Sequence, residues 1–130
     1  MKGLTIERLT MHQDARGKVF EPLGPEILGS GTLRNTHAAT MAPGAIRGNH
    51  RHPGATETIV FSGEIKLLAQ DREGKREEFV FNNGECVRVI VSPGIAHAFV
   101  NIGEKDTFIV CFSDRESGTD PQEKVQLVGA

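Results

Sequence analysis

The sequence predicts an all-β protein, built as an antiparallel sandwich or barrel. Three observations carry that reading. Fifteen glycines and six prolines are scattered through 130 residues and cut the chain into short pieces. The pieces between them are rich in Val, Ile, Phe and Thr, and several alternate apolar with polar residues, as half-buried strands do. No stretch of ten or more residues shows a 3.6-residue apolar period with capping residues, so no long helix is expected.

The strands read in order as "LTIERLT", "KVFEPL", "TLRNTHAATMA", "ETIVFS", "EIKLLAQ", "REEFVF", "ECVRVIV", "HAFVNI" and "DTFIVCF". Turn signals separate the later ones: Ser62-Gly63, "DREG" from Asp71, "NNG" from Asn82 and "SPG" from Ser92. The tail after the last strand, "DRESGTDPQEKVQLVGA", is polar until "VQLV". It is expected to wrap the barrel or one of its edges. There is no internal repeat, low-complexity tract or linker, and the length suits one domain.

Composition excludes several classes. The formal net charge is -2 and no long run of one sign occurs, which argues against a nucleic-acid partner, whose footprint is a basic patch. No apolar run approaches membrane-spanning length. The first residues, "MKGLTIERLTMHQD", lack the apolar core of a signal peptide, so a cytoplasmic location is the expectation. The two cysteines, Cys86 and Cys111, each sit inside an apolar strand-like run. They read as buried, reduced core thiols, with no CxxC spacing to suggest a metal or disulfide role.

The chemistry concentrates in "GAIRGNHRHPGATETIVFSGEI", from Gly44 to Ile65. Residues i and i+2 of a strand share a face, so His50 and His52 converge if the segment is extended. Pro53 and Gly54 then turn the chain, which can bring Glu57 beside both rings. His97, in "SPGIAHAFVN", opens a later strand. Three imidazoles and a carboxylate suit a first-row divalent metal ion. Each residue also has a plainer reading, as surface polarity or a hydrogen-bonded core histidine.

The order and spacing resemble a known family. Gly44 to Gly63 is similar to the first cupin motif: Gly, five residues, His-x-His, four residues, Glu, then a glycine. "PGIAHAFVN" from Pro93 is similar to the second: Pro, Gly, two residues, His, three residues, Asn. The spacing from Glu57 to Gly63 is one residue shorter than the usual pattern, and Ser92 stands where many cupins have a proline. Neither departure removes a ligand. The resemblance implies a small barrel or jelly roll, the double-stranded β-helix. It implies N-terminal strands over 1–36, the barrel proper over 37–113 and a tail over 114–130. It also implies one bound divalent ion (Zn, Ni, Mn or Fe) held by His50, His52, Glu57 and His97.

A narrower resemblance runs to cupins of polysaccharide and nucleotide-sugar biosynthesis, through "RGNHRH", "DARGKVFEPL" and "HAFVNIGEKDTFIV". It includes the C-terminal cupin of a bifunctional capsular-polysaccharide enzyme that epimerises a UDP-linked 4-keto-6-deoxy sugar. This implies an isomerase or epimerase of a carbonyl-bearing sugar or nucleotide sugar. Related metal-free enzymes use a tyrosine or a His-Asp pair, and this chain contains no tyrosine. Removing a proton beside a carbonyl needs a base. His37 is the first candidate, if its strand turns it inward, and Glu21 the weaker one. Arg47 is the candidate grip on a phosphate or carboxylate of the substrate, since a guanidinium forks onto either. The alternatives are an Fe-dependent cupin dioxygenase and a non-catalytic sugar- or small-molecule-binding cupin. A homodimer is expected, with the N-terminal strands crossing to the partner and hiding sheet edges.

Overall fold

A computed structural model describes residues 1–129. Among the described residues are twelve strands and one short helix. They are β1 (Leu4–Arg8), β2 (Met11–Asp14), β3 (Gly17–Phe20), α1 (Pro25–Gly29), β4 (Asn35–Met41), β5 (Ile46–Arg51) and β6 (Glu57–Ser62). Then follow β7 (Ile65–Gln70), β8 (Arg76–Phe81), β9 (Cys86–Val91), β10 (Ala96–Asn101), β11 (Thr107–Ser113) and β12 (Glu123–Lys124). Two five-stranded sheets face each other, in the orders β1-β9-β6-β11-β4 and β12-β5-β10-β7-β8. Neighbouring strands are antiparallel. This is the all-β antiparallel architecture that the strand spacing predicts and the jelly roll that the cupin resemblance implies.

The inward faces close a core around Phe61, Phe81, Phe99, Met41, Leu67 and Val89, all nearly inaccessible to solvent. Phe61 stacks edge-on against Phe81 and Phe99, at 5.3 and 5.7 Å between ring centres. Each such side chain contributes roughly 1.5–3 kcal/mol by leaving water. The turns follow their sequence signals. Asp71 Oδ1 accepts the amides of Glu73 and Lys75, and Asn82 Oδ1 accepts that of Gly84. The Asn of the second motif, Asn101, is buried at a corner and donates to the carbonyls of Met41 and Lys105.

Two features depart from the expected series, a hairpin and a short helix. β2 and β3 form a separate hairpin over residues read as one strand and a polar lead-in. α1 occupies "PEILG", with Pro25 at its first turn, too short to show a helical period. β1 pairs with β9 of its own chain, Leu4 opposite Val91 through Arg8 opposite Val87. The N-terminal strand thus extends the first sheet at its edge. The tail does wrap an edge: β12 pairs with β5, and Leu127 is buried. Residue 130, the last of that tail, lies outside the described residues. Among the described residues, no helix is long and apolar enough to cross a membrane.

Candidate metal and substrate site

The site lies between the two sheets, where β5 and β10 of one face β4, β6 and β11 of the other. β5 meets β10 with a register break. His97 stands opposite His50 and Ala98 opposite Gly48, so Asn49 has no partner. The bulge decides which side chains enter the barrel. Arg47 is opposite the inward Phe99. Regular alternation from Arg47 would point Asn49 inward and His50 outward. The extra residue inverts that phase, so Arg47 and His50 face the same interior.

The bulge needs its sequence. Gly48 has φ +102, and a Cβ there would lie 2.6 Å from the His97 carbonyl oxygen. Asn49 has φ +59, a left-handed conformation that Asn tolerates better than most residues. Its side chain also fastens the tail. Nδ2 donates to the Val128 carbonyl, and Oδ1 accepts the amides of Leu127 and Val128.

Glu57 begins β6 and is 6 % exposed. Three imidazoles converge on its Oε1: Nε2 of His52 at 3.1 Å, of His97 at 3.2 Å and of His50 at 4.0 Å. His97 Nδ1 lies 3.2 Å from the Ile95 carbonyl. A carbonyl can only accept, so in the neutral ring Nδ1 carries the proton and Nε2 presents a lone pair. That lone pair faces a buried carboxylate oxygen that has no hydrogen-bond partner. A proton shared between these two electron-rich atoms, or a cation bound between them, relieves the contact. One ligand atom from each of His50, Glu57 and His97 lies within 4.8 Å of the other two, so small side-chain shifts bring them within the span of about 4.4 Å that two bonds of about 2.2 Å to a single ion allow. The residues therefore fit a divalent cation.

His52 stands at the margin of this triad. Its Nδ1 is 3.5 Å from Asp120 Oδ2 in the tail. That same oxygen accepts the amides of Gly54 and Ala55. A Cβ on Gly54 would meet Asp120 Oδ1 at 2.7 Å, so a larger residue there would push the carboxylate from its place. Carboxylates behind an imidazole commonly set its orientation. The second oxygen of Glu57, Oε2, accepts from the Cys111 thiol at 3.0 Å.

The electrostatics follow from this packing. Burial lowers the His50 imidazole to about 4, assisted by the neighbouring His97, so at neutral pH the ring is uncharged. His52 is raised, first by Glu57 and, against burial, by Asp120. Burial alone would raise the Glu57 carboxyl. The His52 ring beside it, with the Cys111 thiol that donates to Oε2, outweighs it and holds the group well below the usual carboxylate range. Cys111 is pushed up by burial and by the Glu57 charge, so its thiol stays protonated.

Two cavities meet at the cluster, and His37, His50 and Glu57 line both. The inner one, about 120 Å³, has apolar walls from Ala39, Ile59, Phe99 and Ile109, with Arg47 at its side. The outer one, about 640 Å³, runs under the tail past Thr36, Ser113, Arg115 and Asp120. His37 sits opposite Cys111 in the β4–β11 register and so faces the interior. The Arg47 guanidinium donates to the Thr40 carbonyl. Glu21 corrects an expectation. It follows β3 on the outside of the molecule, is exposed, and lines neither cavity. The hairpin carries it away from the barrel interior.

Sequence reasoning missed Cys111 and Asp120. Cys111 was read as an inert core thiol, and it is buried and unpaired, yet it touches Glu57. Its position two residues before Ser113, which pairs with Glu57, places it on the same face, but that requires the register. Asp120 lies far along the chain in the tail, and nothing local announces its destination.

The fold is a small jelly-roll barrel with a His/Glu cluster between its two sheets. The family follows from the sequence: the profile of the cupin domain matches residues 37–113, more than half of the chain, and the protein belongs to that family. No curated protein matches it in sequence. Solved structures share its fold. A dTDP sugar isomerase from Desulfovibrio desulfuricans superposes with a TM-score of 0.80 at 15% identity, covering 97% of this chain and 87% of that one. A 3′-monoepimerase from Streptomyces bikiniensis, in complex with dTDP-quinovose, gives 0.79 at 18% identity, over 96% of this chain and 70% of that one. A dTDP-4-dehydrorhamnose 3,5-epimerase from Sulfolobus tokodaii gives 0.73 at 22% identity, over 92% and 74%. At these identities the likeness is one of fold.

Proposed function

We propose that this cupin is a metal-assisted isomerase or epimerase of a carbonyl-bearing sugar or nucleotide sugar. The observation that carries the reading is the buried, unpartnered Oε1 of Glu57 facing the imidazoles of His50, His52 and His97. The similar structures named above act on dTDP-linked sugars by their descriptions, which supports the substrate class.

His50, Glu57 and His97 hold the divalent ion, with His52 beside them as a fourth donor. When bound, the ion supplies Lewis acidity for the negative charge that develops on a carbonyl oxygen. The chain's own groups do the rest. His37, on the wall shared by both cavities, takes the proton from the carbon next to the carbonyl; it returns it at a neighbouring atom for isomerisation, or, for epimerisation, to the other face once the enolate has turned over in the pocket. His50 remains neutral near pH 7, so it adds no competing positive charge. Arg47 grips an anionic group of the substrate. Ile59, Phe99 and Ile109 keep water from the reacting carbon. The working unit is proposed to be a homodimer.

The test is exchange of solvent deuterium into a dTDP- or UDP-4-keto-6-deoxy sugar, followed by NMR. Wild type is expected to exchange the proton beside the carbonyl, and His37→Asn to lose about 100-fold or more. Exchange that persists after chelation and removal of metal overturns the Lewis-acid role. Exchange unchanged in His37→Asn moves the base elsewhere.

A further inference from the structure

We propose that Cys111 is a positioning residue, whose thiol fixes Glu57 so that a single carboxylate oxygen faces the histidines. The inference rests on the metal-binding reading above. The Glu57 carboxylate has two oxygens in different surroundings. Oε1 is the meeting point of three imidazole nitrogens. Oε2 accepts from Cys111 Sγ at 3.0 Å. In the β6–β11 ladder Glu57 is opposite Ser113 and Ile59 opposite Cys111, so the two side chains are diagonal neighbours on the inner face. Diagonal pairs across strands stay within reach of side-chain contact.

The contact has a geometric consequence. An ionised carboxylate offers about four lone-pair sites and can bind an ion through one oxygen or both. A donor on Oε2 uses that oxygen and stops the group from turning. The thiol is a weak donor, but Cys111 is buried, and water has little access to take its place. Without the thiol, Oε2 would be left as a second buried, unsatisfied oxygen beside Oε1. That has a cost, and the carboxylate would relieve it by rotating. Cys86 gives an internal comparison. It is also buried but sits opposite Ser62, at the far end of β6 from Glu57.

Cobalt(II) titration of the metal-free protein, followed by absorbance and calorimetry, tests this. Cys111→Ala is expected to weaken cobalt binding by about 10-fold or more, the scale of losses when a ligand's supporting partner is removed. Cys111→Ser keeps a donor and is expected to restore most of that affinity, while Cys86→Ser changes nothing. Equal affinity in wild type and Cys111→Ala overturns the proposal. So does a sulfur-to-cobalt charge-transfer band lost in Cys111→Ser, which would make Cys111 a ligand.

A measurement without metal separates this claim from the reading beneath it. The infrared S–H stretch of Cys111 is expected at lower frequency than that of Cys86, and to move up in Glu57→Gln. If wild type takes up no cobalt, the metal reading fails, and this band alone decides whether the thiol holds Glu57. An unshifted band overturns the contact, and the spectrum of wild type stands whether or not Cys111→Ala folds.

Discussion

A charged carboxylate costs free energy to bury unless partners offset it, and Glu57 is 6 % exposed. Its surroundings are therefore the most constrained part of the molecule. His50 shows the constraint in its titration. In the metal-free protein the unfolded chain binds a proton on this ring below pH 6.5, while the folded chain resists it until about 4. Between those values acid favours the unfolded state. The melting temperature is expected to fall as pH drops through that window, and His50→Gln to flatten the decline. An unchanged slope in the variant assigns the effect to another group. His52 is shifted the other way, so its contribution is present at low pH and is lost as pH rises through its raised value. Asp120 carries a second prediction. Its carboxylate caps the Gly54 and Ala55 amides, and Asp120→Ala is expected to cost about 1–3 kcal/mol. Asp120→Asn, which keeps an oxygen acceptor, is expected to cost less. Chemical denaturation reads both, and equal losses would place the effect on charge rather than on the cap.

Among the elements, β5 shows how far sequence pattern reaches. That His50 and His52 share a face follows from strand periodicity alone. That Arg47 shares it too does not, because Arg47 and His50 are three apart and only the Asn49 bulge brings both inward. The Gly-Asn pair at 48–49 was the available signal, since both residues tolerate positive φ. Their partners, the His97 carbonyl and the tail amides, lie 49 or more residues away along the chain. Gly48→Ala is expected to be severe. It combines φ +102 with a 2.6 Å contact to backbone, and strain at such positions costs on the order of 1–3 kcal/mol before the clash is counted. The expected outcome is a lower melting temperature together with loss of metal affinity. A variant that binds metal normally would show that the bulge does not position His50.

At the scale of the whole molecule, the barrel and its ligand motif were legible because turn glycines and short apolar strands are local signals. The hairpin β2–β3, the pairing of β1 with β9, and Asp120's reach to His52 were not. The last two are contacts between distant segments with no local pattern. The hairpin is local, but "MHQD" is mostly polar and shows no apolar alternation. Where the hairpin packs, and Glu21 with it, is not written locally either. Assembly is a prediction at this scale. β11 leaves Phe108 55 % exposed and β3 leaves Val19 68 % exposed, and a homodimer would cover such groups. The mass in solution is expected near twice the 14.1 kDa of one chain; a value near one chain refutes the dimer. The central claim is that His50, Glu57 and His97 hold a divalent ion. Elemental mass spectrometry of untagged protein, wild type beside His97→Ala, tests it most directly. The account predicts close to one zinc, nickel, manganese or iron per wild-type chain and almost none in the variant. Wild-type protein that holds no metal even after reconstitution with each ion would contradict it.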